Sequence, residues 1–215
     1  MGKFTQMELD EVNSTLHTSE DCLNWAFDNL HPKLAKASSF GAEDAAIIDM
    51  MFKINSDARL FTLETGRLPQ ATFDVMDEVQ KRYNTKIEML YPDKQEVEKM
   101  VKEKGLDCFY DSIENRKLCC GIRKVHPMNK MLEIDEMHGD IVKVNPIINW
   151  TYEQTWDYIK SNNCPYNKML DQVYPSIGCE PCTRPIKIGE DIRSGRWWWE
   201  NDTNKECGLH MNHDK

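Results

Sequence analysis

The stretch that decides the fold is "KLAKASSFGAEDAAIIDMMFKI", residues 33–54. A short apolar run ends at Ala37, a Ser-Ser-Phe-Gly turn follows, and from Ala42 the apolar residues recur at helical spacing. The same alternation continues outward. "ARLFTLETGR" (58–67) reads as a strand and loop, "PQATFDVMDEVQKRY" (69–83) as a helix opened by Pro69, "KIEMLYP" (86–92) as a strand, and "DKQEVEKMVKEKG" (93–105) as a helix closed by Gly105. Strands and helices taking turns at this spacing predict an α/β domain, a mostly parallel sheet flanked by helices on both faces. Upstream, "FTQMELDEVNSTL" and "TSEDCLNWAFDNL" predict two helices, the second with Thr18 or Ser19 as N-cap.

Beyond Asp107 the alternation breaks down. The sequence predicts a helix after Cys119 and Cys120, a short strand at "DIVKVNPI" (140–147), and a helix over 151–161 with Thr151 and Gln154 as a capping box. "YPSIGCEPCTRPIKIGEDIRSGRWWWE" (174–200), rich in Pro, Gly and Arg, reads as loops that build a site. Residues 1–200 are expected to form a single domain, and 201–215 a mobile C-terminal tail.

The chain has 215 residues, 40% of them hydrophobic, enough for one sizeable core. A formal charge of −9 argues against a general nucleic-acid or membrane-surface binder, so any anion must be met by a local basic patch. No stretch approaches the roughly 18 apolar residues of a membrane span, and "MGKFTQMELDEV" carries no leader or myristoylation pattern. A cytoplasmic protein is the expectation. In that reducing compartment, eight cysteines point to metal ligands or reactive thiols rather than a disulfide framework.

Four features carry chemistry. "SSFGAED" (38–44) and "LETGRLP" (63–69) each follow a strand, so both loops lie on the edge of a parallel sheet where ligands bind. The first offers small residues and a helix N-terminus to an anion, and the second offers Thr65 and Arg67 to a nucleotide. Neither is a Walker motif, and singly each could be an ordinary turn. The third feature is Cys119 and Cys120 with Cys179 and Cys182. Four thiolates, two by two, suit zinc or an iron–sulfur cluster, and the adjacency of the first pair tilts the reading toward iron–sulfur. Cys22, Cys108 and Cys164 read as structural. The fourth is a cationic set, Arg123, Lys124, Arg184, Arg193 and Arg196, whose concentration in an acidic chain suggests an anionic substrate. The tryptophans beside it read as core. Cys207 stands apart on polar, glycine-interrupted sequence.

Taken in order, "SSFGAED", "LETGR", "CCGIRK", "IGCEPCTRP", "GRWWWE" and "KECGLH" closely resemble the assimilatory sulfonucleotide reductases, in particular the cluster-bearing adenylylsulfate (APS) type. The resemblance covers nearly the whole chain, and "CCGIRK" with "CEPCTRP" and "ECGLH" is its most specific part. It implies an adenine nucleotide alpha hydrolase-like (PP-loop-like) fold and an enzyme of sulfate assimilation that reduces adenosine 5'-phosphosulfate to sulfite and AMP with thioredoxin as donor. By the same resemblance Cys207 is the nucleophile, forming a thiosulfonate. Cys119, Cys120, Cys179 and Cys182 ligate a [4Fe-4S] cluster that positions and polarises the sulfate. Ser38, Ser39 and Gly41, then Thr65, Gly66 and Arg67, face the nucleotide, while Lys124, Arg193 and Arg196 contact the substrate. Independent physics favours the cations, which neutralise a sulfate and promote the thiolate that attacks it. His210 reads as a bystander beside Cys207.

One departure stands out. Between "CCGIRKVHPMNKML" and "EIDEMHGDIVKVNPI" the family carries an arginine-rich "TGxRRxQS" loop over the substrate, absent here. Its loss is expected to weaken affinity and turnover while sparing fold and cluster. Family members with the paired cysteines generally use APS, and those without them use the 3'-phosphorylated form, PAPS. Two rival readings differ in class: a zinc-stabilised nucleotide-binding module without redox role, and an ATP-consuming thiolation enzyme, which the absence of a Ser-Gly-Gly-x-Asp-Ser pattern disfavours.

Overall fold

The structure, a computed structural model, describes residues 4–134, 142–201 and 205, with side chains up to residue 130 in the first of these spans. Helices α1 (Gln6–Thr15) and α2 (Ser19–Leu30) are each started by a capping box, from Thr5 with Glu8 and from Thr18 with Asp21. The alternating unit then runs β1 (Ala35–Ala37), α3 (Ala42–Ile54), β2 (Arg59–Leu63), α4 (Gln70–Tyr83), β3 (Glu88–Leu90) and α5 (Lys94–Lys104). The three strands pair in parallel in the order β1-β2-β3, with Ala35 opposite Arg59 and Phe61 opposite Glu88. Because all run the same way, their following loops emerge on one edge of the sheet.

Pro69 occupies the N-cap of α4, and Gly105 ends α5 with φ +93°. Between sheet and helices, Ile48, Leu60, Val75, Met76, Val79 and Ile87 form one apolar core. A second core joins Ala42, Ala45 and Ala46 of α3 to Ile159 of α8 (Tyr152–Ser161), whose start carries the Thr151–Gln154 capping box. At that junction Asp49 is fully buried. Its carboxylate accepts hydrogen bonds from Tyr83 Oη and Tyr158 Oη, both at 2.8 Å, and pairs with Lys53 at 2.7 Å. One carboxylate thus ties three helices together.

The helix expected after Cys119 and Cys120 is present as α7 (His126–Ile134), but the pair also closes a helix that was not expected, α6 (Ile113–Cys120), which runs on through a wide π turn over Gly121–Val125 into α7. The expected strand at 140–147 is not formed in its described part, where Val142–Asn145 is irregular and leads into a turn. Its alternating Val142 and Val144 satisfy the strand pattern, but Pro146 removes a ladder donor, and no strand among the described residues pairs with them. Among the described residues no helix is long and apolar enough to cross a membrane.

Candidate active site

Both expected nucleotide loops emerge on the carboxyl edge of the sheet. After β1, the Ser38 N–H donates to Phe61 O at 3.0 Å, and Thr62 Oγ1 donates to Ser38 O at 2.8 Å, so the first loop is pinned to β2. Ser38 Oγ is turned inward and accepts the N–H of Phe40, a buried residue held at φ +61°. Ser39 donates through N and Oγ to Asp44 Oδ2 at 2.7 and 3.1 Å, and Lys36 pairs with the other Asp44 oxygen. Burial works against that carboxylate, yet the Lys36 charge and the Ser39 donors hold it below its ordinary range. Gly41 stands at the N-cap of α3 with no side-chain acceptor for the first-turn amides, the arrangement that receives an anion. The first-turn amides at Gly41 thus face the sheet edge, whereas Ser38 and Ser39 both hold the turn, through Phe40 and Asp44.

After β2, Gly66 adopts φ +71°, and a Cβ there would approach Arg123 Nη1 to 3.1 Å. Thr65 is buried, its Oγ1 lying 3.3 Å from Cys179 Sγ and accepting the Arg67 N–H at 3.2 Å. The Arg67 guanidinium runs along the protein, stacking over Phe109 at 4.9 Å and donating to Asp107 Oδ1 and Leu106 O at 3.1 and 2.5 Å. This second loop consequently reaches the cysteines as well as the sheet edge.

Cys119, Cys120, Cys179 and Cys182 are all buried and share one apolar cluster with Met100, Phe109, Ile122 and Trp197. They line a single cavity, and Arg67, Arg116, Arg123 and Lys124 line it with them. The downstream pair sits on a short 3-10 turn, Glu180–Cys182, fixed by Glu180 N–H to Arg67 O at 2.8 Å and by Thr183 Oγ1 to Cys179 O at 2.9 Å. Burial pushes the Cys119 thiol up, opposed by Arg123. Burial and the neighbouring Cys179 and Cys120 push Cys182 up to about 12. All seven described cysteines are free, and Cys108 joins the same core as the four.

The four buried thiols and the cations that line their cavity are a donor set suited to a metal–sulfur group. Among the described residues no group of three or more His, Cys, Asp or Glu could hold one metal ion. A zinc site needs four sulfurs each about 2.3 Å from one centre. In a [4Fe-4S] cluster each of four thiolates takes its own iron. The surroundings suit an anionic metal–sulfur group, since Arg123 Nε and Trp197 Nε1, two buried donors on cavity-lining residues, have no acceptor.

Of the remaining expected substrate contacts, Lys124 lines the cavity and Arg193 is exposed, donating to Lys205 O at 3.4 Å. Arg196 is buried; it stacks over Trp197 at 4.9 Å and donates to Ile177 O at 3.2 Å. Trp197 is core as expected, while Trp198 is half-exposed. Sequence reading missed Arg116, fully buried on α6 with its guanidinium forked onto Glu200. The available signal was its place one helical turn before Cys119. Cys207 and His210 lie outside the described residues.

Against known proteins, the family model described as phosphoadenosine phosphosulfate reductase domain matches residues 33–137 and 129–185. The adenosine 5'-phosphosulfate reductase of Allochromatium vinosum is 39% identical over 198 residues, covering 81% of this chain and 77% of that protein. Those of Burkholderia cepacia and Pseudomonas aeruginosa (strain LESB58) are 42% and 38% identical, covering 84% and 89% of this chain and 82% and 81% of theirs. A crystal structure of phosphoadenylyl-sulfate (PAPS) reductase from Candida auris superposes with a TM-score of 0.73 at 26% identity, covering 85% of this chain and 98% of that one. By these relatives the chain is an oxidoreductase acting on a sulfur group. The chain belongs to the phosphoadenosine phosphosulfate reductase family. The family match falls into two stretches that overlap at 129–137.

Proposed function

We propose that this enzyme reduces adenosine 5'-phosphosulfate to sulfite and AMP in sulfate assimilation, with Cys207 as nucleophile and thioredoxin as electron donor. The observation that carries the reading is the convergence of four buried thiols and the cations Arg123 and Lys124 in one cavity, bridged by Thr65 to a loop on the carboxyl edge of the sheet. Relatives at 39–42% identity named adenosine 5'-phosphosulfate reductase favour APS over PAPS.

Gly41 and the first-turn amides of α3 receive the nucleotide phosphate, beside the Ser38–Ser39 turn. Lys124, Arg193 and Arg196 neutralise the sulfate. Their charge lowers the repulsion that a thiolate meets on approaching an anion and favours the thiolate form. Cys207 Sγ attacks the sulfate sulfur, a sulfur–sulfur bond forms, and the bond from that sulfur to the bridging oxygen breaks, its electron pair leaving on AMP. One thioredoxin thiolate then attacks Cys207 Sγ and releases sulfite. The second thioredoxin thiolate resolves the mixed disulfide and returns Cys207 as thiolate, so the two electrons come from one dithiol. Cys119, Cys120, Cys179 and Cys182 would hold a [4Fe-4S] cluster, which when bound would help position and polarise the sulfate, while the cations around it supply the positive charge. Residues 1–200 act as the catalytic domain and 201–215 as the tail that delivers Cys207, in the cytoplasm, where thiols stay reduced.

Turnover with APS and with PAPS, each with reduced thioredoxin, tests the assignment. APS is expected to be reduced faster, and a clear preference for PAPS overturns it. The PAPS reductase reading has one observation in its favour, the Candida auris structural neighbour.

A further inference from the structure

Arg116 and Glu200 are 84 residues apart in sequence, yet Nε and Nη2 of the arginine each meet a separate carboxylate oxygen at 2.8 Å. Both side chains are withdrawn from water, at 0% and 3% exposure. Each partner is built into a different half of the four-thiol site. On α6, Arg116 precedes Cys119 by three residues and Cys120 by four, which puts all three on one helix face. Glu200 belongs to the other half, for its N–H donates to Trp197 O at 2.9 Å, and the Trp197 N–H donates to Cys182 O at 3.1 Å. The Trp197 ring lies 4.7 Å from the Arg116 guanidinium, closing the circuit.

A buried ion pair is a poor stabiliser, because desolvating both charges offsets most of their attraction and an apolar pair of similar volume often does as well or better. What a two-pronged guanidinium–carboxylate contact supplies is a fixed distance and orientation. We infer that Arg116 and Glu200 are a positioning pair. They set the separation between Cys119/Cys120 and Cys179/Cys182, so that the site is assembled before anything enters it. Arg116 lines the cavity itself, so its fork also fixes one wall. The inference rests on the proposed role of the four thiols as cluster ligands.

The test compares the native chain with Arg116→Lys, Glu200→Gln and the double variant Arg116→Met/Glu200→Met. Thermal melts and far-UV circular dichroism of the metal-free proteins report the fold. Anaerobic supply of iron and sulfide, followed through visible absorption and bound iron per chain, reports the site. The double-Met variant is expected to melt at or above the native temperature while filling the site at least about tenfold more slowly or weakly, the range seen when residues orienting metal ligands are lost. Arg116→Lys keeps the charge without the fork and falls between. Native filling by the double-Met variant overturns the inference, and if that variant does not fold, native filling by a folded Arg116→Lys does. Should the native chain itself take up no cluster, the cofactor reading falls alone. The pair is then judged by Cd²⁺ capture in the same four proteins, where equal capture overturns it.

Discussion

Thr65 Oγ1 lies 3.3 Å from Cys179 Sγ, so a residue of the second sheet-edge loop is joined directly to one of the four buried thiols. The same hydroxyl accepts the Arg67 N–H. Replacing Thr65 with Val keeps the shape but leaves that amide without its acceptor, at a cost of about 1–3 kcal/mol. Thr65→Ser retains the hydroxyl and gives up one methyl, about 1 kcal/mol. Urea midpoints of the two variants should therefore order native, Ser, Val, and the Val variant should bind AMP more weakly. Val at or above Ser would contradict the assignment.

Gly178 is required by its neighbour. A Cβ at this position would stand 2.2 Å from Arg196 Nη2 and 2.5 Å from its Cζ. The guanidinium is already stacked on Trp197 and buried, so it cannot swing aside without leaving its place. Gly178→Ala is expected to cost about 1–3 kcal/mol of stability and to raise KM for the sulfonucleotide by about tenfold or more. An unchanged KM in a folded variant would remove Arg196 from the substrate contacts.

The raised thiols make the metal-free protein sensitive to alkali. Cys182 is lifted from 9.0 to about 12, chiefly by burial and then by Cys179, so the fold favours the protonated thiol. The unfolded chain loses its proton first as pH rises, and the stability from this group is full below about pH 9 and lost between about 9 and 12. Denaturant midpoints of the metal-free protein should fall across that window. Metal ligands are thiolates, so loading releases protons, and uptake at the four cysteines should strengthen as pH rises from 6 to 8.

Asp49 gives the opposite dependence. Burial works against its charge, but Lys53, Tyr83 and Tyr158 hold its carboxyl below the ordinary range. A depressed carboxylate contributes stability above its unfolded pKa of about 4 and loses it as pH falls further. Asp49→Asn should cost about 1–3 kcal/mol, because the buried carboxylate loses its charge-assisted bonds and one tyrosine hydroxyl loses an acceptor, and it should flatten the acid limb of a stability–pH curve. A native melting temperature for this variant would deny the junction its role.

The parallel sheet was legible because each of its strands is a short apolar run ended by a Gly- or Pro-bearing turn, as at Ala35–Ala37 and Arg59–Leu63. Those local signals do not depend on distant contacts. The strand expected at 140–147 followed from alternation alone, and alternation cannot supply a neighbour to pair with. The cysteine set was readable from residue type and spacing, and its burial in one cavity agrees with it. What spacing could not convey was side-chain direction. The Ser38 hydroxyl turns into its own loop and Arg67 lies along Phe109, because each is captured by partners two residues to about forty residues away. Arg116 was passed over for the same reason, since its meaning lies in Glu200 at the far end of the chain.

The central claim is that Cys207 takes the sulfonate directly from the nucleotide. Intact-mass analysis of the cluster-loaded protein, mixed with APS in the absence of thioredoxin, tests it most directly. The account predicts a sulfite-sized adduct that maps to Cys207, appears with one equivalent of AMP and disappears when reduced thioredoxin is added. Release of AMP and sulfite without any adduct, or an adduct that persists after Cys207→Ser, would contradict it.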